Sequence, residues 1–304
     1  MLPSLPAVTR RERLVGYGCA FAVVLIWAGF SLASRYASRS GGGVRLTPWD
    51  LGALRFSVAG TVATLLWLGG LGRGLPWRRG LILALLAGLG FAIPAYVGFT
   101  FAPAAHGALL MSGTLPFLVA IGTRLAFAER WTMWRKLSLL LLLTGLGAFA
   151  AEAYVWQQAP LGAWRGDLLF LLAATSWAAY TILVRHWSPT PWQSVVAVGL
   201  WCGLVFPPLW WVALPSHMAA ISWRELALQA VFQGIIAVLL SLWLYIRALE
   251  SLGSGRLTTI TALVPGTAAV LAVPLLNEPL GLLSFGGLLL VCVAVALGVV
   301  SSPA

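Results

Sequence analysis

The sequence predicts an all-α integral membrane protein with ten transmembrane helices, arranged as two inverted five-helix repeats with both termini in the cytoplasm. Of the 304 residues, 60% are hydrophobic and only 9% are charged, whereas soluble proteins carry about 25% charged residues. Apolar runs reach the length of about 20 residues that crosses a bilayer. In addition, the second half of the chain repeats unusual residues of the first half at a constant spacing.

Ten apolar windows define the expected helices. They cover 14–34, 50–70, 81–101, 104–126 and 137–155 in the first half, and 165–186, 192–214, 225–247, 253–276 and 281–300 in the second. The connections are short and leave no room for a separate soluble catalytic domain. We therefore expect a cytoplasmic tail over 1–13 and two five-helix domains over 14–155 and 165–300.

The repeat rests on residues other than leucine. Seven pairs are related by a shift of 149 or 150 positions: Gly16/Gly166, Trp27/Trp177, Arg35/Arg185, Tyr96/Tyr245, Ser112/Thr261, Pro116/Pro265 and Glu129/Glu278. Because each half holds an odd number of helices, the second half must enter the membrane from the opposite side. Inverted repeats are typical of transporters, whose halves move about a site between them.

The positive charge follows the expected topology. With a cytoplasmic N-terminus, 13 of the 19 Lys and Arg residues lie in inside segments, five lie in outside segments, and Arg55 lies within the second helix. This bias orients a membrane chain. The net charge of +11 therefore reflects contact with a lipid bilayer, and no nucleic-acid partner is expected.

Two prolines fall near the middle of the fourth and ninth windows. Proline has no N–H and clashes with the carbonyl four residues earlier, which places the freed carbonyls at Ser112 and Thr261. Midplane carbonyls beside hydroxyls are used in binding sites made of discontinuous helices. Alternatively, the kinks serve packing only. We predict that Pro116 and Pro265 are hinges and that Ser112 and Thr261 line a cavity.

Aromatic residues in the middle of spans form a second set of candidates. A buried indole must find a partner for its N–H or face a cavity, and Trp27 and Trp177 lie far from the interfaces where tryptophans usually gather. The tyrosines and tryptophan at similar depth are Tyr96, Tyr180, Trp243 and Tyr245. We expect these side chains to line a substrate cavity. Ordinary core packing is the alternative.

Polar residues recur on single faces of the eighth and ninth helices. Gln229 and Gln233 are four residues apart and share a face, as do Thr258 and Thr261. Polar groups at bilayer depth normally point into the protein. Gln233, Thr258 and Thr261 are therefore candidate cavity residues, with interhelical hydrogen bonding as the alternative.

Charged residues are expected at helix ends. Glu129 and Glu278 precede the fifth and tenth helices, where a carboxylate interacts favourably with a helix N-terminus in a structural role. Four arginines are also placed near helix ends, where they can snorkel: Arg35, Arg55, Arg185 and Arg247. We therefore expect no dedicated anion pocket. No Asp or Glu lies in the middle of a span and His106 belongs to an outer hairpin, so transport independent of a proton gradient is predicted.

Signatures of cofactor chemistry are weak. Gly145-Leu146-Gly147 imitates a dinucleotide fingerprint, but no strand precedes it. There is no Walker A sequence, and the three cysteines lack metal-ligand spacing. We expect no enzyme activity, no cofactor and no metal.

Several of these segments resemble a known family. Trp27-Ala28-Gly29-Phe30 ending at Arg35, Ser176-Trp177-Ala178-Ala179-Tyr180 ending at Arg185, Leu54-Arg55-Phe56, and the gap of 13 from Pro116 to Glu129 and from Pro265 to Glu278 are similar to motifs of EamA-type members of the drug/metabolite transporter superfamily. The resemblance covers about 14–300, with Val205 where the repeat would place the partner of Arg55. It implies the ten-helix inverted-repeat fold, export of small metabolites such as amino acids, and a bacterial plasma (inner) membrane.

Together these features predict a secondary transporter that exports a small neutral or zwitterionic metabolite by alternating access, without ATP hydrolysis. The expected partners are a small-molecule substrate and the lipid bilayer, and the oligomeric state is left open. A lipid-translocating subunit and a non-transporting membrane scaffold or sensor are the alternatives.

Overall fold

The computed structural model describes residues 9–38, 46–102, 104–152, 162–276 and 281–301. Throughout these ranges the regular structure is helical, with no strand. Eight of the described helices are long and apolar enough to cross a membrane, and two shorter apolar helices cover Val264–Leu275 and Phe285–Val299. The protein is therefore an all-helical integral membrane protein.

The helices are labelled in chain order. They are α1 (Arg10–Ser38), α2 (Pro48–Leu68), α3 (Trp77–Phe101), α4 (Ala108–Phe127), α5 (Met133–Ala151), α6 (Ala163–Trp187), α7 (Pro191–Ala213), α8 (Trp223–Thr261), α9 (Val264–Leu276) and α10 (Leu282–Ser301). A helical turn at Ala104–Gly107 leads into α4. The first helix begins at Arg10, four residues before the expected boundary, so the helix takes up part of the segment assigned to a tail.

Three helices depart from regular α geometry in ways that the apolar windows do not reveal. Wider π-helical turns occupy Ala84–Leu89 in α3, Ala108–Gly113 in α4 and Val231–Leu240 in α8, and those of α3 and α8 lie at positions related by the repeat spacing. Within α8, Gly253 has φ 78° and ψ 161°, a backbone conformation that favours glycine. The path of α8 turns there, at the point where the sequence predicts the boundary between its eighth and ninth helices.

Helices α2 and α7 begin with the same local device. Thr47 and Thr190 each accept a hydrogen bond from a backbone N–H three residues on, and the Asp50 and Gln193 side chains accept from the threonine N–H in return. A proline at the next position completes both starts. The capping box satisfies N–H groups that a helix end leaves unpaired, which matters most where water is scarce.

Glycines allow α2 and α7 to approach closely. A Cβ atom built on Gly203 would lie 2.5 Å from the Gly60 Cα, and one built on Gly199 would lie 2.9 Å from the Ala59 carbonyl oxygen. Small residues permit such approach in membrane helices, where packing replaces the hydrophobic driving force. Similarly, a Cβ atom built on Gly145 of α5 would lie 2.8 Å from the Gly287 carbonyl oxygen of α10.

Two further glycines mark contacts that occur in both halves. A Cβ on Gly16 of α1 would lie 3.1 Å from Leu252 Cγ in α8, and one on Gly166 of α6 would lie 2.6 Å from Ala102 Cβ after α3. Gly16 and Gly166 are 150 positions apart, and Ala102 and Leu252 are also 150 apart. The residue pairs found by sequence repetition therefore make matching helix contacts.

Contacts between helix ends join segments that the charge pattern assigns to the same side. On the expected cytoplasmic side, the Gln193 amide donates to the Arg73 carbonyl at 3.0 Å, and Arg135 donates to the Gly255 carbonyl at 3.0 Å. On the other side, the Thr47 hydroxyl donates to the Pro215 carbonyl at 3.2 Å.

Candidate substrate cavity

The aromatic residues of the two halves meet in the middle of the bundle. The rings of Trp27 and Trp177 are edge-on with centroids 5.2 Å apart, and Trp27 stacks on Tyr245 at 5.5 Å. Phe91 of α3 packs against Trp177 at 5.0 Å, and Tyr180 packs against it at 5.3 Å. Trp27 and Trp177 are repeat partners, so each half contributes an equivalent indole to one cluster.

A small enclosed space of about 30 Å³ adjoins this cluster, with room for about one water molecule. Its lining comes from α1, α2, α3, α4, α6 and α8: Trp27, Phe30, Ser31, Arg55, Phe91, Met111, Ser112, Leu115, Trp177 and Ala237. Three predicted cavity residues, Trp27, Ser112 and Trp177, lie in this wall. This space is too small for a metabolite, because the two halves pack closely around it.

Arg55 was expected to snorkel toward a helix end, and that expectation is wrong. Its side chain is only 3% exposed and lines the cavity. The residue lies about 10 Å into α2 at 1.5 Å per residue, and its side chain points into the bundle. The apolar window gave its depth but not the direction that it faces.

A chain of hydrogen bonds runs from Arg55 into α8. The Arg55 Nη1 is 3.5 Å from the Tyr96 hydroxyl, which in turn donates to Gln233 Oε1 at 3.0 Å. Gln233 donates to Gln229 Oε1 at 3.4 Å. Tyr96 and Gln233 therefore lie next to the cavity-lining arginine, behind the wall of the cavity.

Both predicted hinge prolines follow a break in a helix. Pro116 is the second residue of the helical segment Leu115–Phe127, after an interruption at Thr114, and Pro265 is the second residue of α9, after the turn at 262–263. A proline in the first turn removes an N–H that would be unpaired anyway. Ser112 precedes one break and reaches the cavity, whereas Thr261 precedes the other and donates to the Thr258 carbonyl at 2.9 Å.

The remaining candidates lie outside the wall. Tyr180 is fully buried behind Trp177. The Thr258 hydroxyl donates to the Ser254 carbonyl at 2.8 Å within its own helix. Trp243 packs against Trp192 with centroids 6.0 Å apart and lies under the Arg247 guanidinium, in the part of α8 that precedes the turn at Gly253.

Glu129, which precedes α5, makes an ion pair that the sequence did not predict. Its carboxylate pairs with Arg185, while the Thr132 side chain caps α5 by accepting from the Arg135 N–H at 3.1 Å. Arg185 also lies over the Phe127 ring at 4.6 Å. The acid and the base come from different halves, which sequence position could not reveal. Glu278 lies outside the described residues.

Sequence reasoning also missed a buried pair near the outer ends of α4 and α6. His106, which is only 1% exposed, has its Nδ1 at 2.9 Å from Asp167 Oδ1. In the described ranges, no group of three or more His, Cys, Asp or Glu side chains is arranged to hold a metal ion. The pair connects the segment before α4 to α6.

The second half of the chain matches a known family of proteins. Residues 164–300 match the model of the EamA-like transporter family. The second half of this chain is therefore similar to EamA-like transporters. The EamA-like segment includes Trp177, Gln233 and Tyr245, so the cavity cluster draws directly on it. EamA-like proteins are membrane transporters of the drug/metabolite transporter superfamily and are generally not enzymes.

The fold is also found in solved structures. One protein crystal structure aligns with 94% of this chain and 96% of its own, with a TM-score of 0.69 and 20% sequence identity. At that identity the likeness concerns the fold alone. No curated protein sequence matches the chain significantly.

Proposed function

We propose that this EamA-like protein is a secondary transporter that exports a small neutral or zwitterionic metabolite, with amino acids as the class favoured by family resemblance. One observation carries the proposal: Trp27 and Trp177, equivalent residues of the two halves, meet edge-on at 5.2 Å in the wall of a buried cavity. A site formed jointly by two similar halves becomes accessible from either side when the halves move.

The proposed architecture is ten crossings in two inverted repeats over 14–155 and 165–300. Its support is the pair of matching contacts, Gly16 with Leu252 and Gly166 with Ala102. In each, the start of one helix meets the end of its neighbour, as expected for antiparallel packing. The turn at Gly253 supplies the boundary that divides α8 between the eighth and ninth crossings.

Alternating access would use the breaks ahead of Pro116 and Pro265. At a break the helix lacks continuous backbone hydrogen bonds, so the segments on either side can change angle at low cost. The Ser112 side chain lies between the break in α4 and the cavity. A change of angle there would enlarge the space beside the indole pair.

The proposed transport is not coupled to protons. The described residues that line the cavity include no Asp, Glu or His, and proton relays in membranes are usually built from such side chains. Movement of the solute down its own gradient, or exchange, needs no titrating group in the wall. In a bacterial inner membrane this would release a metabolite that accumulates in the cytoplasm.

The proposal is tested by the culture medium of cells that express the chain, compared with cells that express an equally abundant Trp27→Ala, Ser112→Ala double variant. A solute that becomes enriched only with the unmodified chain supports export and identifies its class. Equal media from both strains, at equal abundance in the membrane, contradict small-metabolite export.

A lateral groove favours lipid transport as a second candidate. A space of about 730 Å³ lies between α2, α3 and α7, and its wall includes Trp67, Trp77 and Trp201. The hydroxyls of Thr61 and Thr64 there donate to carbonyls of their own helix at 2.9 and 2.8 Å, so the groove wall is largely apolar and suited to acyl chains. Flux of a fluorescent phospholipid in vesicles, together with absence of solute export, would favour this candidate.

A further inference from the structure

We propose that Arg55 binds a carboxylate of the transported solute, so that the substrates of this protein are zwitterions that carry a carboxyl group. This inference rests on the proposed transport function. Arg55 is the one ionisable side chain among the described residues that line the cavity. The guanidinium of arginine is a cation in proteins, so the cavity wall carries a permanent positive charge.

The described acidic residues leave this charge unbalanced. Of the eight acidic residues in the chain, all except Glu278 are described, and none of these seven forms an ion pair with Arg55. The acid closest in sequence is fully engaged: Asp50 accepts from the Trp210 indole at 3.1 Å, from the His217 N–H at 3.0 Å and from the Thr47 N–H at 2.9 Å. A buried charge without a partner is costly, so the site favours an anionic ligand.

The guanidinium is held in place but not saturated. Its carbon lies 5.7 Å from the centre of the Phe30 ring, a favourable position for a cation. One nitrogen makes the long contact of 3.5 Å with Tyr96, while Nε is buried without a hydrogen-bond partner. Since a guanidinium carries five N–H donors, several remain for a ligand. The neutral chain through Tyr96 and Gln233 positions the group without neutralising it.

A single cation suits a carboxylate better than a phosphate ester. Arginine pairs with a planar carboxylate through two parallel hydrogen bonds, whereas a phosphate monoester carries almost two charges near neutral pH. The other buried arginine of the described chain, Arg135, donates to the Gly255 carbonyl and to the Thr259 hydroxyl at 2.8 Å near a helix end. It is engaged in holding α5 against α8, so the cavity offers one positive charge.

The test measures binding and export separately. The purified full-length chain is unfolded thermally in the presence of each proteinogenic amino acid and of the matching carboxamide, which keeps the shape and removes the negative charge. We expect at least one amino acid to raise the midpoint while its amide does not. Arg55→Gln should weaken that binding by about tenfold or more, and Arg55→Lys should retain part of it. Arg247→Gln, a paired arginine outside the cavity, is the matched control and should bind normally.

A milder variant addresses the case in which Arg55→Gln fails to fold. Tyr96→Phe removes only the hydroxyl that contacts Arg55, and it should weaken binding several-fold while preserving the aromatic packing. Release of solutes by cells is then measured with the same variants. The exported solutes should carry a carboxyl group, and the Arg55→Gln chain should fail to export them.

Failure of the Arg55 inference and failure of the proposed export give different experimental results. If a solute is exported and Arg55→Gln exports it equally, or if amides bind as tightly as acids, the role of Arg55 is overturned while transport stands. If no amino acid binds in a manner that depends on Arg55, the inference is overturned as well. If carboxylate-dependent binding is lost in Arg55→Gln but nothing is exported by the unmodified chain, the binding site stands and the proposed export fails.

Discussion

Trp27 and Tyr245 stack with their ring planes 22° apart and their centroids 5.5 Å apart. One ring belongs to α1 and the other to α8, so the stack connects the two sequence halves beside the cavity. The Tyr245 hydroxyl lies 2.7 Å from the Thr181 hydroxyl of α6, which fixes the tyrosine. The position of Trp27 thus depends on residues that lie more than 150 positions further along the chain.

Replacement of Trp27 tests this arrangement. Trp27→Leu keeps an apolar side chain but loses the stack on Tyr245 and the contact with Trp177, so we expect export to fall about tenfold, the equivalent of about 1.4 kcal/mol, at normal abundance. Trp223→Leu is the control, because that indole is 81% exposed. Export is measured per amount of protein in the membrane. Equal losses in both variants would show that the Trp27 stack has no special role.

Close packing of α2 on α7 predicts a strong dependence on glycine. Gly203→Ala would place a methyl group 2.5 Å from the Gly60 Cα, and overpacking of this kind costs about 1–3 kcal/mol. Gly147→Ala adds the same methyl group where no atom lies within 4 Å. Thermal unfolding in one detergent should show a lower midpoint for Gly203→Ala only. Similar midpoints for the two variants would disprove this contact.

The breaks ahead of Pro116 and Pro265 predict a kinetic effect. Alanine at either position restores an N–H that can continue the helix, so we expect slower transport with stability changed by less than about 1 kcal/mol, because first-turn prolines cost little. Initial rates and thermal midpoints are measured for each alanine variant. Unchanged initial transport rates would show that these prolines are not hinges.

Two interhelical pairs should differ in their contribution to stability. His106 and Asp167 are buried, with side chains 1% and 16% exposed, and removal of a partner from a buried hydrogen bond costs about 1–3 kcal/mol. Arg185 and Glu129 are 37% and 39% exposed, and such pairs contribute at most about 1 kcal/mol. Asp167→Asn should therefore lower the unfolding midpoint more than Glu129→Gln does. The reverse order would contradict the burial of the histidine pair.

Much of the helical structure could be predicted because apolar length and charge bias act locally. The described starts of α2, α6 and α7 fall within two residues of their predicted windows. The sequence repeat alone identifies Trp27 and Trp177 as equivalent residues. Gly16 and Gly166 are unusual residues that recur because each permits a close contact. Repetition of such residues therefore carried information about packing.

The rest of the site could not be predicted, because it depends on the direction of side chains and on the distances between helices. Sequence patterns do not reveal either. Arg55 shares its depth with residues that face lipid, and only the rotation of α2 turns it toward Phe30 and Tyr96. His106 and Asp167 are 61 positions apart and meet through the packing of two helices. The cavity is small because the two halves of the chain pack closely around it. Composition does not indicate how closely two halves pack.

The most direct measurement reconstitutes the purified chain in liposomes loaded with the solute that cells release. We predict saturable efflux without ATP, which persists when the proton gradient is collapsed and is lost in the Trp27→Ala, Ser112→Ala double variant. Liposomes that retain the solute equally with the unmodified chain, the double variant or no protein would contradict a transport function. Efflux that stops when the proton gradient is collapsed would contradict the uncoupled mechanism alone.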